Sequence, residues 1–233
     1  MSEAVQHMFA AIARHYDALN TMLSFGMHHR WRHKAVALTQ LPAEARVLDI
    51  CSGTADLALA FARHLGPNGH VIAADFCAAM LARGHQKAQR RHLRIMCTLA
   101  DAHHLPFHNA TFDVVTVAFG LRNVDHLATA LREMQRVLRP GGMAVVLEFG
   151  QPQGAVFGPL YRLYAQHILP RLGGWVSGHP EAYAYLPRTA AVFPAGGRFV
   201  RAMVTEGFST VQAHALSGGI VYLYRATRPL ADA

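Results

Sequence analysis

The sequence is poor in cysteine, in charged residues and in long apolar runs. Its three cysteines, Cys51, Cys77 and Cys97, are odd in number, lie in apolar surroundings and form no Cys-x-x-Cys pair, which predicts reduced, inert thiols in the core. No apolar run approaches the ~20 residues that a membrane-spanning helix needs. The sixteen histidines are scattered rather than grouped with carboxylates in metal-ligand order. We therefore expect a soluble or peripheral protein without a metal site.

The charges that are present are mostly positive. The formal net charge is +8 and the pI is near 9.9, which favours an anionic partner, either nucleic acid or anionic lipid. Because the sequence has no run of five or six Lys/Arg and no aromatic-rich platform for single strands, we expect no nucleic-acid partner. The first residues show no apolar leader with a small-residue cleavage site, so we expect a cytoplasmic location.

A glycine-poor loop organises the chain. Val47-Leu48-Asp49-Ile50-Cys51-Ser52-Gly53-Thr54-Ala55-Asp56 is typical of a buried strand, a tight turn and the start of a helix. A second apolar run ends in Asp75, roughly 20 or more residues further on, where nucleotide-binding α/β folds place an acid on the ribose hydroxyls. The loop has one glycine where a dinucleotide site needs three, and no Lys-Ser/Thr follows it as in a phosphate loop. S-adenosylmethionine (SAM) therefore fits better than a pyrophosphate ligand. An ordinary strand-to-helix connection with a surface aspartate is the alternative.

Strands and helices alternate through the middle of the chain. The patterns predict strands at 46–51, 70–75, 93–99, 112–118 and 142–149, and helices at 54–65, 77–90 and 125–138. This alternation predicts a parallel α/β sheet covered by helices on both faces, with ligands beyond the carboxyl ends of the strands. A helix that ends at 206–207 and a hairpin of strands 208–214 and 220–226 would complete seven strands. The polar or loop residues at these ends are Asp49, Gly53, Asp75, Asp101, Phe119 and Glu148.

Two helical regions lie outside this alternation. Residues 4–25 carry apolar residues at spacings of three and four, which predicts an amphipathic helix with a break near 17–20. The basic segment 28–34 opens the next helix, which Pro42 closes. Within it, Trp31 is either a membrane-interface anchor or part of a helix that packs on the domain.

The second region, 151–198, begins with a helical stretch and is then broken by Pro180, Pro187 and Pro194. It is typical of a lid inserted before the sheet is complete. We expect residues 1–233 to form a single domain, with N-terminal helices at 1–40 and a substrate lid at 151–198.

Several motifs are similar to one enzyme family over nearly the whole chain. Phe119-Gly120-Leu121-Arg122-Asn123, the amino-terminal Tyr16-Asp17-x-x-Asn20 and the late Gly218-Gly219-Ile220-Val221 are the most specific of them. With 49–56 and Arg136 through Gly142, they resemble the UbiE/Coq5/MenG quinone-biosynthesis C-methyltransferases, within the class I SAM-dependent methyltransferases. The resemblance implies a class I methyltransferase Rossmann-like sheet of seven strands, mostly parallel with the last strand antiparallel. It also implies an N-terminal helical extension and a helical lid before the last strands.

The resemblance implies SAM as the cofactor, with contacts at Thr54, Asp75 and the Asp101-Ala102 pair, which flanks the adenine. Three positions depart from the family pattern: Ser52 and Ala55, where glycine is usual, and Ala118, where serine is usual. We expect the methyl group of Ala55 to be tolerated if its φ stays negative, whereas Ala118 loses one hydroxyl contact. The predicted cofactor-binding residues are Asp49, Gly53, Thr54, Asp75, Phe76, Asp101, Ala102 and Ala118.

The implied chemistry is displacement at a sulfonium methyl by an electron-rich ring carbon ortho to a phenol. The phenolic proton, with a pKa of about 10 in water, has to leave or be shared with a base. Arg122 and Asn123 follow a strand, where a guanidinium can hold a phenolate or orient a water that removes the proton. A helix cap with a surface ion pair is the alternative. Tyr16 completes the predicted catalytic set, and Tyr164 and the His103-His104 pair are looser candidates.

We therefore expect SAM-dependent C-methylation of a polyprenylated quinol, either 2-methoxy-6-polyprenyl-1,4-benzoquinol or demethylmenaquinol or both. The expected partners are this prenylated quinol and an anionic membrane surface at the inner face of the cytoplasmic membrane. A homodimer and a quinone-synthesis complex are both left open. One alternative is SAM-dependent transfer to another amphipathic acceptor, such as a phospholipid amine or a phenolic natural product. The other is a non-catalytic SAM-binding subunit, which Ala55 and Ala118 favour and the intact Arg122-Asn123 pair disfavours.

Overall fold

The computed structural model describes residues 3–152, 157–168, 171 and 180–230, which contain one sheet of seven strands. The strands are β1 (Arg46–Ile50), β2 (His70–Asp75), β3 (Met96–Leu99), β4 (Phe112–Ala118), β5 (Leu138–Phe149), β6 (Ser209–Leu216) and β7 (Val221–Thr227). Their order is β3-β2-β1-β4-β5-β7-β6. Neighbours among β1 to β5 are parallel, and β7 runs antiparallel to both β5 and β6. The predicted sheet, mostly parallel with an antiparallel last strand, is confirmed.

Helices precede the sheet, alternate with its strands and cover both of its faces. They are α1 (Glu3–Ile12), α2 (Tyr16–Leu23), α3 (Met27–Thr39), α4 (Asp56–Ala62), α5 (Ala78–Arg90), α6 (Leu127–Val137), α7 (Phe157–Leu163), α8 (Pro180–Val192) and α9 (Gly197–Thr205). A π-helical turn, Tyr164–Ile168, follows α7, and 3-10 turns lie at Leu121–Asn123 and Ser217–Gly219. Within the described ranges, no helix is long and apolar enough to cross a bilayer.

The central strands are buried on both faces, which explains their nearly continuous apolar runs. On one face, Leu131 and Met134 of α6 and Phe199 of α9 pack into the sheet. On the other face, Trp31 of α3 and Phe61 of α4 belong to a second apolar cluster. This two-sided packing leaves only the strand ends and the turns that follow them open to a ligand.

The N-terminal helices differ in their bounds from the prediction. The break falls at 13–15 rather than near 17–20, because the turn lets Ile12 of α1 and Leu19 of α2 pack into one cluster. Helix α3 ends at Thr39, before Pro42, since Gln40 takes a left-handed conformation. Trp31 is buried and its Nε1 donates to Ser217 Oγ at 2.9 Å, so the membrane-anchor interpretation is wrong and the packed-helix alternative is correct.

The proline-rich region also differs from the prediction. Helix α8 begins at Pro180, a position where the N–H that proline lacks would have no partner within the helix. The helix continues through Pro187, so the predicted break at Pro187 is wrong. Residues 153–156, 169–170 and 172–179 of the predicted lid lie outside the described residues. The lid assignment for 151–198 therefore stays a prediction.

Two strand starts are displaced as well. Strand β3 begins at Met96 instead of residue 93. Strand β5 begins at Leu138 instead of residue 142, because Leu138 pairs with Phe112 before the register shifts. The segment 139–141, which lies between the predicted helix 125–138 and the predicted strand 142–149, is thus a bulge inside β5, with Gly141 at φ 78°. The cysteines are free, and burial raises the pKa of all three thiols, as expected for inert thiols.

Candidate active site

The loop after β1 folds tightly against the end of β4. Its positive φ angles are 48° at Cys51, 56° at Gly53 and 62° at Ala55. A Cβ on Gly120 would lie 2.3 Å from Cβ of Cys51, so only glycine lets the loop after β4 come this close. The nearest atom to a Cβ on Gly53 is Cε of Met80 at 3.9 Å, so the backbone of Gly53 is open to a ligand.

The substitutions at 52 and 55 have structural consequences. The condition of a negative φ at Ala55 is not met, and a left-handed alanine costs roughly 1–2 kcal/mol. Its buried methyl group faces Gly84 of α5, where a Cβ would lie only 2.8 Å away, so the glycine on the helix makes room for it. Ser52 adds a donor, because its Oγ donates to Oδ2 of Asp49 at 2.6 Å.

Asp49 is buried under this loop and accepts three hydrogen bonds. Its Oδ1 accepts from Thr116 Oγ1 at 2.7 Å, and its Oδ2 accepts from Ser52 Oγ and from the Ala58 amide at 3.2 Å. Burial raises the pKa of Asp49 to about 6, although these three bonds oppose the shift. The carboxylate thus connects the end of β1 to β4 and to the first turn of α4.

Asp75 ends β2 and fixes the loop from the other side. Its Oδ2 accepts from the Gly53 amide at 2.7 Å and its Oδ1 from the Cys77 amide at 2.8 Å. Burial raises the pKa of Asp75, and the backbone bonds oppose that shift. The predicted bonds to ribose hydroxyls stay a prediction, and they would use the remaining lone pairs of a carboxylate that already holds the loop.

A cavity of about 40 Å³, here called the cofactor cavity, lies at these strand ends. It lies beside β1 and β4, where the strand order reverses and where α/β sheets bind ligands. Of the predicted site residues, those that line it are Asp49, Gly53, Thr54, Asp75, Phe76, Ala118, Tyr16 and Asn123. Among the described residues, Asp101 and Ala102 do not line it. Asp101 instead accepts from Nδ1 of His103 at 2.8 Å.

A second cavity of about 280 Å³, here called the acceptor cavity, adjoins the first. Its lining is mainly apolar and comes from α1, α2, α3 and the segment 161–164, with Arg122 at the end of β4. Phe9, Tyr16, Arg32 and Phe119 line both cavities and form the wall between them. The two cavities therefore face each other across a partly aromatic partition.

Arg122 is buried at this partition. Its guanidinium donates to Oε1 of Glu148 at 2.9 Å and to the Phe119 carbonyl, and it stacks 5.0 Å from the Phe149 ring centre. Glu148 is completely buried, so the alternative of a surface ion pair is wrong: the ion pair exists, but it is internal. Within the described part of the chain, Nε of Arg122 and Oδ1 of Asn123 are buried without a hydrogen-bond partner.

Tyr16, in the partition, and His28, in the lining of the acceptor cavity, are two further polar groups near Arg122. Burial raises the pKa of Tyr16, and the positive charge of Arg122 opposes the shift. Burial, reinforced by Arg32, lowers the pKa of His28 to about 3, so its imidazole is neutral at pH 7. His28 Nδ1 accepts from Arg32, and its Nε2 bonds Thr21 Oγ1 at 3.1 Å, which occupies both ring nitrogens.

A search with protein-family models matches residues 1–228 of the chain to the ubiE/COQ5 methyltransferase family. The chain belongs to this family. A ubiquinone/menaquinone biosynthesis C-methyltransferase UbiE of Bdellovibrio bacteriovorus is 44% identical over 97% of this chain and 96% of its own length. A demethylmenaquinone methyltransferase of Thermus thermophilus is 45% identical over 95% of this chain and all of its own length. These relatives confirm the predicted SAM-dependent C-methyltransferase class.

Solved structures of low sequence identity share the fold. A SAM-dependent methyltransferase of Thermotoga maritima, described as a possible histamine N-methyltransferase, superposes with a TM-score of 0.66 at 18% identity. The match covers 95% of this chain and 98% of that chain. At this identity the likeness supports the class I methyltransferase architecture and nothing about the acceptor.

Sequence reasoning did not find several side chains of this site whose partners are far away in the sequence. Glu148 was placed at a strand end, but its pairing with Arg122 was not predicted. Arg32 belongs to the basic segment 28–34, and nothing in that segment indicates that it is buried and lines both cavities. Asp17 and Lys87, 70 positions apart, meet at 2.7 Å. The one signal available was that Asp17 belongs to the Tyr-Asp-x-x-Asn motif specific to quinone enzymes.

Proposed function

We propose that this protein transfers the methyl group of SAM to a ring carbon of a polyprenylated quinol. The observation that carries the proposal is the contrast between the two adjoining cavities. The cofactor cavity is lined by Asp49, Asp56 and Asp75, whereas the acceptor cavity is apolar and contains two guanidiniums. Acids favour a sulfonium cation, and buried cations favour a phenolate in apolar surroundings.

The residues of the cofactor cavity fit SAM. Gly53 presents open backbone, Asp75 lies at the ribose position of nucleotide-binding folds, and Oδ1 of Asn123 is a buried acceptor with no partner among the described residues. Bound SAM supplies an electrophilic methyl group. The acceptor of that group would lie across the partition formed by Phe9, Tyr16, Arg32 and Phe119, on the side of the acceptor cavity.

In the acceptor cavity, Arg122 is the group that holds the ionised ring oxygen. Glu148 and the Phe119 carbonyl fix the guanidinium through one nitrogen, and Nε keeps an unused donor. Arg122 and Arg32 stabilise negative charge that grows on the ring as the phenolic proton leaves. His28 is excluded as the base, because a pKa of about 3 makes its imidazole a very weak proton acceptor.

The same lining argues against an amine acceptor. A phospholipid amine would have to approach as a neutral base beside Arg122 and Arg32, and no carboxylate is among the described residues that line the acceptor cavity. A ring that gains negative charge fits this cavity better. The apolar acceptor cavity, of about 280 Å³, also suits a quinol ring together with the first part of its prenyl chain.

The test is to measure cofactor binding and quinol methylation in one preparation of Arg122→Ala. Losing a preorganised donor lowers turnover by about 10² to 10³, while affinity for S-adenosylhomocysteine stays within a few-fold of wild type. Arg132→Ala is the matched control, because Arg132 is exposed on α6 and its ion pair there is with Glu206, at 3.1 Å. Near-normal turnover in Arg122→Ala would contradict the assigned role.

The acceptor itself is identified by complementation of a strain that lacks its quinone C-methyltransferase. Mass spectrometry of the accumulated quinones distinguishes methylated benzoquinone from methylated naphthoquinone. Accumulation of unmethylated precursors of both kinds, despite folded protein, would refute a quinol acceptor.

We further propose that the protein works at an anionic membrane surface. Phe25, between α2 and α3, is 83% exposed, and its ring lies 6.3 Å from that of Tyr164. Tyr164 directly follows α7, which carries the exposed Leu160 and Leu163. Phe25 and Tyr164 also line the acceptor cavity, so this apolar rim leads from the surface to the ring site. Arg162 is exposed on α7, and the net charge of +8 complements anionic lipid.

Liposome flotation tests the membrane proposal. Wild-type protein floats with anionic vesicles at low salt and is released at high salt, and Phe25→Glu weakens flotation. Leu99→Glu, at another exposed apolar residue (61%) on the sheet edge, is the matched control and floats like wild type. Absence of flotation at low salt, or equal loss in both variants, would contradict the proposed surface.

A further inference from the structure

A compact ionic network ties the N-terminal helices to the cofactor loop. Nζ of Lys87, on α5, donates to Oδ2 of Asp17 at 2.7 Å, to Oδ1 of Asp56 at 2.6 Å and to Oγ1 of Thr54 at 3.0 Å. Oγ1 of Thr54 in turn donates to Oδ1 of Asp17 at 2.5 Å. One ammonium group thus joins α5, α2, the first turn of α4 and the loop after β1.

The network is shielded at Lys87 and Asp56, and its charges are balanced. The side chains of Lys87 and Asp56 are 16% and 14% exposed, whereas that of Asp17 is 40% exposed, and Arg32 lies 3.8 Å from Asp56. Burial alone would raise the pKa of Asp56, but Arg32 and Lys87 outweigh it and lower this pKa. If the ammonium of Lys87 were removed, the carboxylates of Asp17 and Asp56 would lose the cation that lies between them. Their mutual repulsion would then push Asp17, and with it α2, away from α4.

The N-terminal helices also close the cofactor cavity. Phe9 of α1 and Tyr16 of α2 line it, and with them in place it measures about 40 Å³. A cofactor held behind these side chains is released more readily when α1 and α2 move, and the bonds that hold α2 in place resist that movement.

We propose that Lys87 is a positioning residue that latches α2 onto the cofactor loop and thereby sets the residence time of the bound cofactor. The inference rests on the proposed function, because it takes the cofactor cavity as the SAM site. Lys87 touches neither cavity and acts through Thr54 and Asp17. Thr54 is the point of coupling, since the predicted cofactor contact of the loop is also a partner of the latch.

The experiment measures the dissociation rate of S-adenosylhomocysteine and the hydrogen exchange of residues 3–23. Lys87→Met and Asp17→Asn each raise the dissociation rate by about tenfold, and each raises exchange in 3–23. The double variant is no faster than the faster single variant, because both changes break one network. Lys87→Arg restores most of the residence time, since it returns the charge. Arg90→Met, at an exposed position on the same helix, behaves like wild type.

The outcomes separate this inference from the proposed function. If wild-type protein fails to bind S-adenosylhomocysteine, the proposed function itself is refuted. If wild type binds it and Lys87→Met lowers the melting temperature but leaves dissociation and exchange unchanged, Lys87 is only structural and the latch is refuted. If Lys87→Met does not fold, Asp17→Asn decides alone, because Asp17 lies on α2 outside the sheet and its packed helices. An unchanged dissociation rate in Asp17→Asn would then overturn the proposal.

Discussion

Replacing Asp49 by asparagine is expected to change how the stability of the protein depends on pH. The substitution keeps the shape of the side chain. Asparagine Oδ1 can accept from Ser52 Oγ and the Ala58 amide, as Oδ2 of Asp49 does, and its amide can donate to Thr116 Oγ1, since a hydroxyl also accepts. What the variant loses is the ability to carry a buried negative charge.

The size of the change in unfolding free energy follows from the raised pKa of Asp49. The ordinary pKa of Asp49 is 3.8, and in the folded protein it is about 6. At a pH between these two values, Asp49 is protonated in the folded protein but ionised in the unfolded chain. Each pKa unit corresponds to about 1.36 kcal/mol. Relative to Asp49→Asn, wild type therefore loses about 2 to 3 kcal/mol of unfolding free energy as the pH rises through this window, and the loss levels off above it.

Urea denaturation of both proteins without cofactor, at steps between about pH 4 and pH 8, measures this difference. Subtracting one curve from the other cancels the other titrating groups, which the two proteins share. A difference that stays constant across the window would refute the reasoning. So would a wild type that gains stability relative to the variant with rising pH, because that would mean that folding lowers the pKa of Asp49.

Two further predictions concern the packing of the site. Gly84→Ala is expected to destabilise the protein by about 1 to 3 kcal/mol in thermal denaturation, because its Cβ would meet that of Ala55 at 2.8 Å, and Ala55→Gly in the same chain should recover part of the loss. Equal losses with and without Ala55→Gly would contradict this account. Arg122→Ala is expected to cost about 3 to 5 kcal/mol by leaving Glu148 buried without its cation, and adding Glu148→Gln should recover more than half of that cost in a double-mutant cycle. Strictly additive losses would show that the two side chains are not coupled.

The sheet could be predicted from the sequence because burial leaves a local trace. Strand β4 is buried along nearly its whole length, and α6 buries Leu131 and Met134 at helical spacing, so periodicity alone locates both elements. The same reasoning placed Asp49 and Asp75 at one edge, since the carboxyl ends of parallel strands share an edge. These predictions depend only on near neighbours in the sequence.

The rest of the site depends on partners far apart in the sequence, and no local pattern encodes them. Arg122 and Glu148 are 26 residues apart, and Asp17 and Lys87 are 70 apart. Their meeting depends on how β4 and β5 align and on how α2 docks on α5. Trp31 shows the same limit: a tryptophan between cations fits a membrane anchor and a packed helix equally well by sequence, and its bond to Ser217 decides the matter.

The partition between the cavities includes side chains of the N-terminal helices, which makes these helices part of the proposed active site. Phe9 and Tyr16 come from α1 and α2, and they line the acid-rich cavity and the apolar one at the same time. Any movement that opens the cofactor cavity must therefore reshape the acceptor cavity as well. An acceptor ring that packs against Phe9 and Tyr16 would in turn press them onto the cofactor side. The helices outside the sheet thus couple two sites whose opposite polarities would otherwise act independently.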